Sequence, residues 1–314
     1  MRKVLCHFAL ALMTFLTFSC EHKMLYYEDH ASSMVEVVFD WSLAPTANPE
    51  GMSVYFFPKS GNAPLRYDFT GKKGGEIRLP VGFYDIVFLN NDTESILFRN
   101  IDFFESFELY TRNSSLVEPL GIRSVPMPTA VNPLQLPVLL DADRIYGGRK
   151  LDFELEAFAE KTTIVLTPYE NTSNYTIEVR NAENLQYIHG VSASLSGLAS
   201  SYFIGADYLS EKAAIVPFPA SHDGKSTINA HLTTFGVAST GPPHEHKLVI
   251  YVVLGDGSKV YYTYDVTDQV RNAPDPYNVH IIIDGLPIPK PIVNGSGFQP
   301  EVGDWEVENH EIQL

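Results

Sequence analysis

Residues 35–41 read Val-Glu-Val-Val-Phe-Asp-Trp, and this stretch decides the fold class. Its apolar side chains recur at every second position, with the two acidic residues between them. Side chains of a β-strand alternate between the two faces of the strand, so this spacing predicts a half-buried strand and not a helix. The inward face is formed by Val35, Val37, Phe39 and Trp41.

Extended segments separated by turn signals continue along the rest of the chain, and no long segment has a 3.6-residue period. Short strands at spacings of about 8 to 12 residues are typical of β-sandwiches and barrels, so an all-β fold is predicted. Residues 247–254 and 259–266 form a predicted hairpin through Asp256-Gly257. The other predicted segments are 53–57, 76–79, 83–89, 95–98, 106–111, 151–157, 162–167, 175–180, 191–195, 213–218, 226–235 and 279–284.

Proline, glycine and polar residues interrupt the alternation between Ser124 and Gly148, which indicates a linker between two sets of strands. Alternation resumes at Leu151, so a second set of strands is predicted to begin there. The predicted organisation is a signal peptide (1–19), a tether (20–33), an N-terminal β-sandwich (34–135), a linker (136–150), a C-terminal β-sandwich (151–285) and a tail (286–314).

The tail contains four prolines and is therefore poorly suited to regular strand pairing over most of its length. Apolar alternation returns near the end, at Trp305, Val307, Ile312 and Leu314. We expect this last segment to form an edge strand that stabilises the second sandwich or contacts a partner molecule.

The first twenty residues have the order of a bacterial lipoprotein signal. Arg2 and Lys3 precede an uncharged apolar stretch, and Ser19 comes directly before Cys20. The mature protein is predicted to begin at a lipidated Cys20, which would attach it to a membrane. An uncleaved anchor and an ordinary secretory peptide remain as alternatives.

Composition excludes several classes of protein. The only cysteines are Cys6 and Cys20, so the mature chain has no thiol pair for a disulfide. The formal net charge of the whole chain is −16, and loss of Arg2 and Lys3 makes it −18. Such a charge repels nucleic acid and anionic membranes, which argues against both as partners.

Motifs with catalytic or metal-binding chemistry are weak. His244 and His246 flank Glu245 in a polar loop, but further ligands for a metal are not recognisable. Asp141 and Asp143 lack the glycine and the distal glutamate of a calcium loop. We predict no cofactor, no metal site and no enzymatic activity, while 38 acidic residues leave a hydrolase with unlocated carboxylates as a distant alternative.

Several segments resemble the fimbrillin-like lipoproteins of Bacteroidetes. The resemblance covers nearly all of the mature chain, and its motifs concern packing and turns more than chemistry. They are Val-Phe-Asp-Trp at 38–41, Pro-Glu-Gly-Met-Ser-Val-Tyr-Phe-Phe-Pro at 49–58, Leu-Pro-Val-Gly-Phe-Tyr at 79–84, Asn-Asn-Asp-Thr-Glu at 90–94 and Asp-Trp at 304–305.

This resemblance implies two tandem transthyretin-like β-sandwiches of Greek-key topology and a role as a subunit or anchor of type V pili. It also implies location at the outer membrane, on either its periplasmic or its outer face. In the polymerising subunits of the family, a trypsin-like protease cuts the loop after the first strand, that strand leaves, and a segment of a neighbour fills the groove. The corresponding strand-exchange segment here contains Val35, Val37, Phe39 and Trp41.

The loop after the first strand lacks the residue that such a protease needs. No Lys or Arg occurs between Lys23 and Lys59. This favours a pilus anchor, accessory or assembly subunit that keeps its first strand and contacts other fimbrial subunits. The alternative is a surface lipoprotein that binds glycans, with Tyr261, Tyr262 and Tyr264 as candidates, although the alternation predicts that the last two are core residues.

Overall fold

A computed structural model describes residues 32–122, 131–156, 162–238, 245–291 and 306–307. Strands dominate these ranges, which confirms the all-β prediction. The first strands are β1 (Ser32–Phe39), β2 (Gly51–Pro58), β3 (Leu65–Thr70), β4 (Gly74–Pro80), β5 (Gly82–Asn90), β6 (Ile96–Arg99), β7 (Glu108–Thr111), β8 (Tyr146–Leu155), β9 (Thr162–Leu166) and β10 (Tyr169–Glu170).

The remaining strands are β11 (Ser173–Ala182), β12 (Ile188–Ala199), β13 (Ser201–Phe203), β14 (Tyr208–Leu209), β15 (Ala213–His222), β16 (Ile228–Thr234), β17 (Lys247–Leu254), β18 (Lys259–Asp265), β19 (Asn278–Leu286) and β20 (Glu306–Val307). Helical structure in the described ranges is short: one α-helix, α1 (Thr267–Arg271), and 3-10 turns at Trp41–Leu43, Phe104–Ser106, Glu118–Leu120 and Leu185–Tyr187. None of these helices combines the length and hydropathy needed to cross a membrane.

Two sheets enclose the first core. Their strand orders are β4-β1-β9 and β10-β8-β5-β2-β3. The alternating apolar residues of both sheets meet between them, as the period-two pattern of β1 requires. The buried residues of this core are Val35, Val37, Phe39, Met52, Val54, Phe56, Phe69, Ile77, Leu79, Tyr84, Ile86, Phe88, Leu155, Ile164 and Leu166.

An eight-stranded sheet, in the order β19-β11-β16-β15-β12-β17-β18-β20, encloses the second core. β15 connects two parts of this sheet, because residues 213–219 pair with β12 whereas residues 220–222 pair with β16. Buried side chains from both parts, such as Ile177 and Ile250, belong to one cluster. Two separate cores are consistent with the predicted pair of sandwiches.

A four-stranded sheet, β14-β13-β7-β6, joins the two halves of the chain. β13 pairs with β7, and both pack with the outward side chains of the first sandwich. Tyr55 and Val87 lie in the same buried cluster as Phe107 and Tyr202. β2 and the second half of β5 are therefore buried on both faces, which is why the side chains of β2 are nearly all apolar and do not alternate with polar ones.

The structure corrects where the linker ends and where strands 151–157 and 162–167 belong. β8 begins at Tyr146, inside the predicted linker, and pairs with β5 of the first sandwich. β9 pairs in parallel with β1 of the first sandwich. Leu139 in the same linker forms a bridge with Asn113. Alternation identifies a strand but not its partner, so it could not show that these segments return to the first half of the chain.

The predicted hairpin of β17 and β18 is confirmed, and Gly257 has the positive φ of +86° that its tight turn requires. In the tail, Glu306 and Val307 pair in parallel with Val260 and Tyr261 at the edge of β18. Trp305, Ile312 and Leu314 lie outside the described residues, so the longer predicted tail strand stays a prediction. The lipidation residue Cys20 also lies outside them.

Candidate functional site

The predicted strand-exchange segment lies in the middle of its sheet. β1 pairs antiparallel with β4, from Ser32 opposite Pro80 to Val38 opposite Gly74. On its other side, β1 pairs in parallel with β9, and the first residue after it continues this pairing, since the amide of Asp40 donates to the carbonyl of Leu166 at 2.8 Å. Main-chain hydrogen bonds therefore hold β1 along both of its edges.

The inward side chains of β1 fill the first core. Val35 and Val37 are completely buried, and Phe39 is nearly so. The Phe39 ring packs edge-on against Phe69, with ring centroids 5.9 Å apart. Burial of each such side chain stabilises the fold by about 1.5–3 kcal/mol. The predicted inward face is thus correct for these three residues.

Trp41 departs from the prediction. β1 ends at Phe39, and Trp41 begins a 3-10 turn in which the amide of Ser42 donates to the Asp40 carboxylate at 3.1 Å. By capping the turn, the short side chain of Asp40 competes with continued strand pairing. The strand therefore ends at Phe39, although the alternating pattern in the sequence continues to Trp41. Trp41 is half-buried against the first core and meets Tyr146 edge-on.

Lys72 holds the loop that follows β1. The Trp41 indole Nε1 donates to the Lys72 carbonyl at 2.8 Å, and the Lys72 Nζ donates to the Ala47 carbonyl at 3.0 Å. The same ammonium group lies 5.7 Å from the centre of the Trp41 ring, within the range of a cation–π contact. Ala44 and Ala47 are buried, so the loop is packed onto the sandwich.

Lys59, the first basic residue after this loop, is also held. Its Nζ forms ion pairs with Asp85, at 3.4 Å, and with Asp152. The hydrogen bond to Asp152 raises the pKa of Lys59 above its ordinary value. Its amide donates to the Phe83 carbonyl at 2.9 Å, which extends the pairing of β2 and β5 by one residue.

Gly74 is the point of closest approach between β4 and β1. A Cβ atom built on this residue would lie 2.1 Å from the carbonyl oxygen of Val37, and its φ of +86° is unfavourable for other residues. Gly71, in the preceding turn, has a similar φ of +68° but has open space at the same position. Alanine substitutions at the two glycines therefore distinguish two costs. Both carry the cost of a positive φ, and only the substitution at Gly74 also displaces β1.

We expect Gly74→Ala to destabilise the first sandwich more than Gly71→Ala does. The positive φ should cost about 1–2 kcal/mol in both variants, and forcing β1 aside should add about 1–3 kcal/mol in Gly74→Ala alone. Urea unfolding monitored by circular dichroism measures the difference. Equal midpoints for the two variants would contradict the close packing of β1 on β4.

The tyrosines proposed for glycan contact are core residues. Tyr261, Tyr262 and Tyr264 are all buried. The hydroxyl groups of the last two donate to backbone carbonyls, at 2.8 Å and 3.2 Å. The proposal that Tyr261 reaches a glycan is wrong, because β18 is covered on both faces.

Of the histidine pair, the structure describes only His246. His244 lies outside the described residues, and His246 is buried with its Nδ1 3.0 Å from the carbonyl oxygen of Ser196. In the described part of the chain, no three side chains of the metal-binding types are grouped closely enough to hold an ion.

Comparison with known proteins places the chain in a family. Residues 19–219 match a family model described as a domain of unknown function, DUF5119. The chain belongs to this family. The DUF5119 match includes all of β1, its loop and its groove, so the site described above lies within the family's shared region.

One relative of this DUF5119 protein is the "putative fimbrium anchoring subunit Fim4B" of Bacteroides ovatus, which is 30% identical over 182 residues. The match covers 57% of this chain and 49% of the relative, so the chain spans about half the length of that curated protein.

Two solved structures share the fold of this DUF5119 chain. A "putative adhesin" from Bacteroides ovatus has a TM-score of 0.62 at 22% identity and covers 84% of this chain and 96% of its own. The fimbrial anchor protein Mfa2 from Porphyromonas gingivalis has a TM-score of 0.51 at 14% identity and covers 80% and 90%. The chain therefore has the fold of Bacteroidetes fimbrial anchor and adhesin proteins.

Proposed function

We propose that this protein is a non-enzymatic, lipid-anchored subunit of a cell-envelope fimbrium, which holds other fimbrial subunits at the outer membrane. Lipid on Cys20 attaches the chain, and the folded sandwiches carry the load between the membrane and the fimbrium. Contacts with the other subunits are made through strands and surfaces, and no catalysis is involved.

The observation that carries the proposal is the retention of β1. An anchor must remain covalently continuous from its lipid to its folded part. β1 is the first described element after Cys20, it is paired on both edges, and Val35 and Val37 are fully buried. No Lys or Arg occurs between Lys23 and Lys59, so a trypsin-like protease has no site in the loop between β1 and β2, and a cut at Lys59 would remove both strands together.

The named relatives support the same role. The curated relative is named as a fimbrium anchoring subunit, and one structure of the same fold is a fimbrial anchor protein. The glycan-binding alternative loses the tyrosines on which it was based, since β18 buries them.

Cys20→Ala should release fimbriae from the producing cell, because the chain would then lack its lipid. Electron microscopy and immunoblots of cells and medium measure the fraction of fimbriae that stays attached. Cys6→Ala is the matched control, because it replaces the other cysteine within the signal without removing the lipidation residue. Fimbriae that stay attached in the Cys20→Ala strain would refute the proposal.

A further inference from the structure

Four large apolar side chains are exposed at one end of the first sandwich. The exposed fractions are 53% for Phe83, 38% for Ile101, 69% for Phe103 and 48% for Leu151. We call these four residues the apolar end. Contiguous exposed apolar groups on a soluble domain usually mark a surface that contacts another molecule or a membrane.

Strand direction brings these residues together. β5 runs from Gly82 to Asn90 and the chain returns along β6, so the turn after β6 lies beside the start of β5. The Phe104 ring in that turn lies 5.6 Å from the ring of Phe57, and Phe57 pairs with Asp85 near the start of β5. Leu151 belongs to the adjoining part of β8, between its pairings with Ile86 and Tyr84.

The chain that leads to Cys20 leaves the sandwich at the same end. Ser32, the first residue of β1, pairs with Pro80, which is followed after one residue by the start of β5. The twelve residues from Cys20 to Ala31 can span at most about 40 Å. A lipid on Cys20 would thus bring the apolar end within reach of the bilayer surface.

We propose that the apolar end rests on the phospholipid surface and fixes the orientation of the first sandwich on the membrane. This inference rests on the proposed lipid anchor. Phenylalanine and aliphatic side chains enter the boundary between headgroups and acyl chains, where their apolar area leaves water. The lipid and the apolar end then form two attachments to the membrane, and together they restrict the tilt of the sandwich more than the lipid alone would.

The charged residues around the apolar end determine which phospholipid headgroups it should prefer. Asp102 and Glu105 are exposed on either side of Phe103 and Phe104. Of the nearby cations, Lys59 is already paired with Asp85 and Asp152, whereas Lys150 is exposed next to Leu151. With acidic groups predominating, the apolar end should bind zwitterionic phospholipids better than anionic ones, because anionic headgroups repel these carboxylates.

The first test places a fluorescent label on the lipidated chain in vesicles. Cys20 carries the lipid and Cys6 leaves with the signal, so Phe103→Cys provides a single site for an NBD label. Glu94→Cys is the matched control, because Glu94 is exposed in the turn at the opposite end of β5 and β6. Doxyl-labelled lipids should quench the label at 103 several-fold more than the label at 94. Equal quenching would overturn the inference.

The second test removes the lipid, so that it is independent of the proposed function. The mature chain with Cys20→Ser should bind phosphatidylcholine vesicles weakly, and binding should fall when phosphatidylglycerol is added. Phe83→Ser with Phe103→Ser should lower the partition coefficient about tenfold, because two exposed rings no longer leave water. Leu134→Ser should have little effect; Leu134 is 70% exposed, and its neighbours Val131 and Leu136 pack with residues of β15 and β17, away from the first core.

The outcomes are distinguishable. If mass spectrometry finds no lipid on Cys20, the proposed anchor fails, whereas vesicle binding by the Cys20→Ser chain still supports the apolar end. Vesicle binding that is absent, or unchanged by the two serine substitutions, overturns the inference. Self-association in sedimentation experiments that the same substitutions abolish would assign the surface to a second copy of the chain and would also overturn it.

Discussion

Val37→Asp should prevent the first sandwich from folding. Val37 is completely buried at the centre of β1, with β4 on one side and β9 on the other. The described residues that form this core are apolar, so the new carboxylate would have no ion-pair partner there. An unpaired buried charge is one of the few single changes that cost more than about 4 kcal/mol, a large part of the stability of a typical domain.

Met34→Asp is the matched control for this substitution. Met34 belongs to the same strand but is 45% exposed on its other face, so a carboxylate there remains in water and should change stability by about 0.5 kcal/mol or less. Hydrogen exchange followed by mass spectrometry measures the protection of β1, β4 and β9 in each variant. Equal protection in both would show that β1 does not occupy its groove.

Leu43→Arg should make the anchor cleavable. Leu43 is 64% exposed at the end of the 3-10 turn after β1, and an arginine there would be the first basic residue between Lys23 and Lys59. A trypsin-like protease should then produce a fragment that begins at Ala44, while the wild-type chain yields no cut in this interval. If Cys20 carries the proposed lipid, the cut chain is joined to that lipid only through the non-covalent pairing of β1.

Vesicles that carry the lipidated chain measure this effect. After protease treatment, unfolding in urea and centrifugation, the fragment from Ala44 should appear in the supernatant in Leu43→Arg and be absent in Leu43→Gln, which removes the same leucine without adding a charge. A cut at this position with Leu43→Gln would contradict the role of the missing basic residues. A Leu43→Arg chain that resists cleavage would instead assign the protection to the contacts of Lys72, and Leu43→Arg combined with Lys72→Ala tests that explanation.

The location of most strands could be predicted because the necessary information is local. Alternation marks β1, a continuous apolar run marks β17, and Asp256-Gly257 supplies the positive φ of the turn between β17 and β18. β13 and β14 contain only a few residues each, too few for a period to be recognised. β3 alternates as β1 does, with Arg66 and Asp68 paired on its outer face at 2.9 Å, so the same rule identifies it.

The candidate site could be predicted only in part, because some of its contacts depend on residues that are distant in the sequence. The alternation correctly predicted that Val35, Val37 and Phe39 face inward. It did not predict that β9 borders β1, because the residues that pair are more than a hundred positions apart in the chain. The role of Lys72 in holding the Trp41 loop was likewise hidden, since it depends on a contact between two turns.

By itself, the amino-acid sequence determined that this protein is all-β, that its two cysteines both lie within the first twenty residues, and that the loop after the first strand lacks a basic residue. These properties follow from side-chain alternation and from composition, which are local. Only the tertiary structure decided that β8 and β9 complete the first sandwich, that β13 joins the two halves through β7, and that apolar side chains gather where the chain towards Cys20 departs. Strand pairing depends on main-chain hydrogen bonds, which are the same for every sequence, so the partner of each strand is selected by packing of the whole molecule.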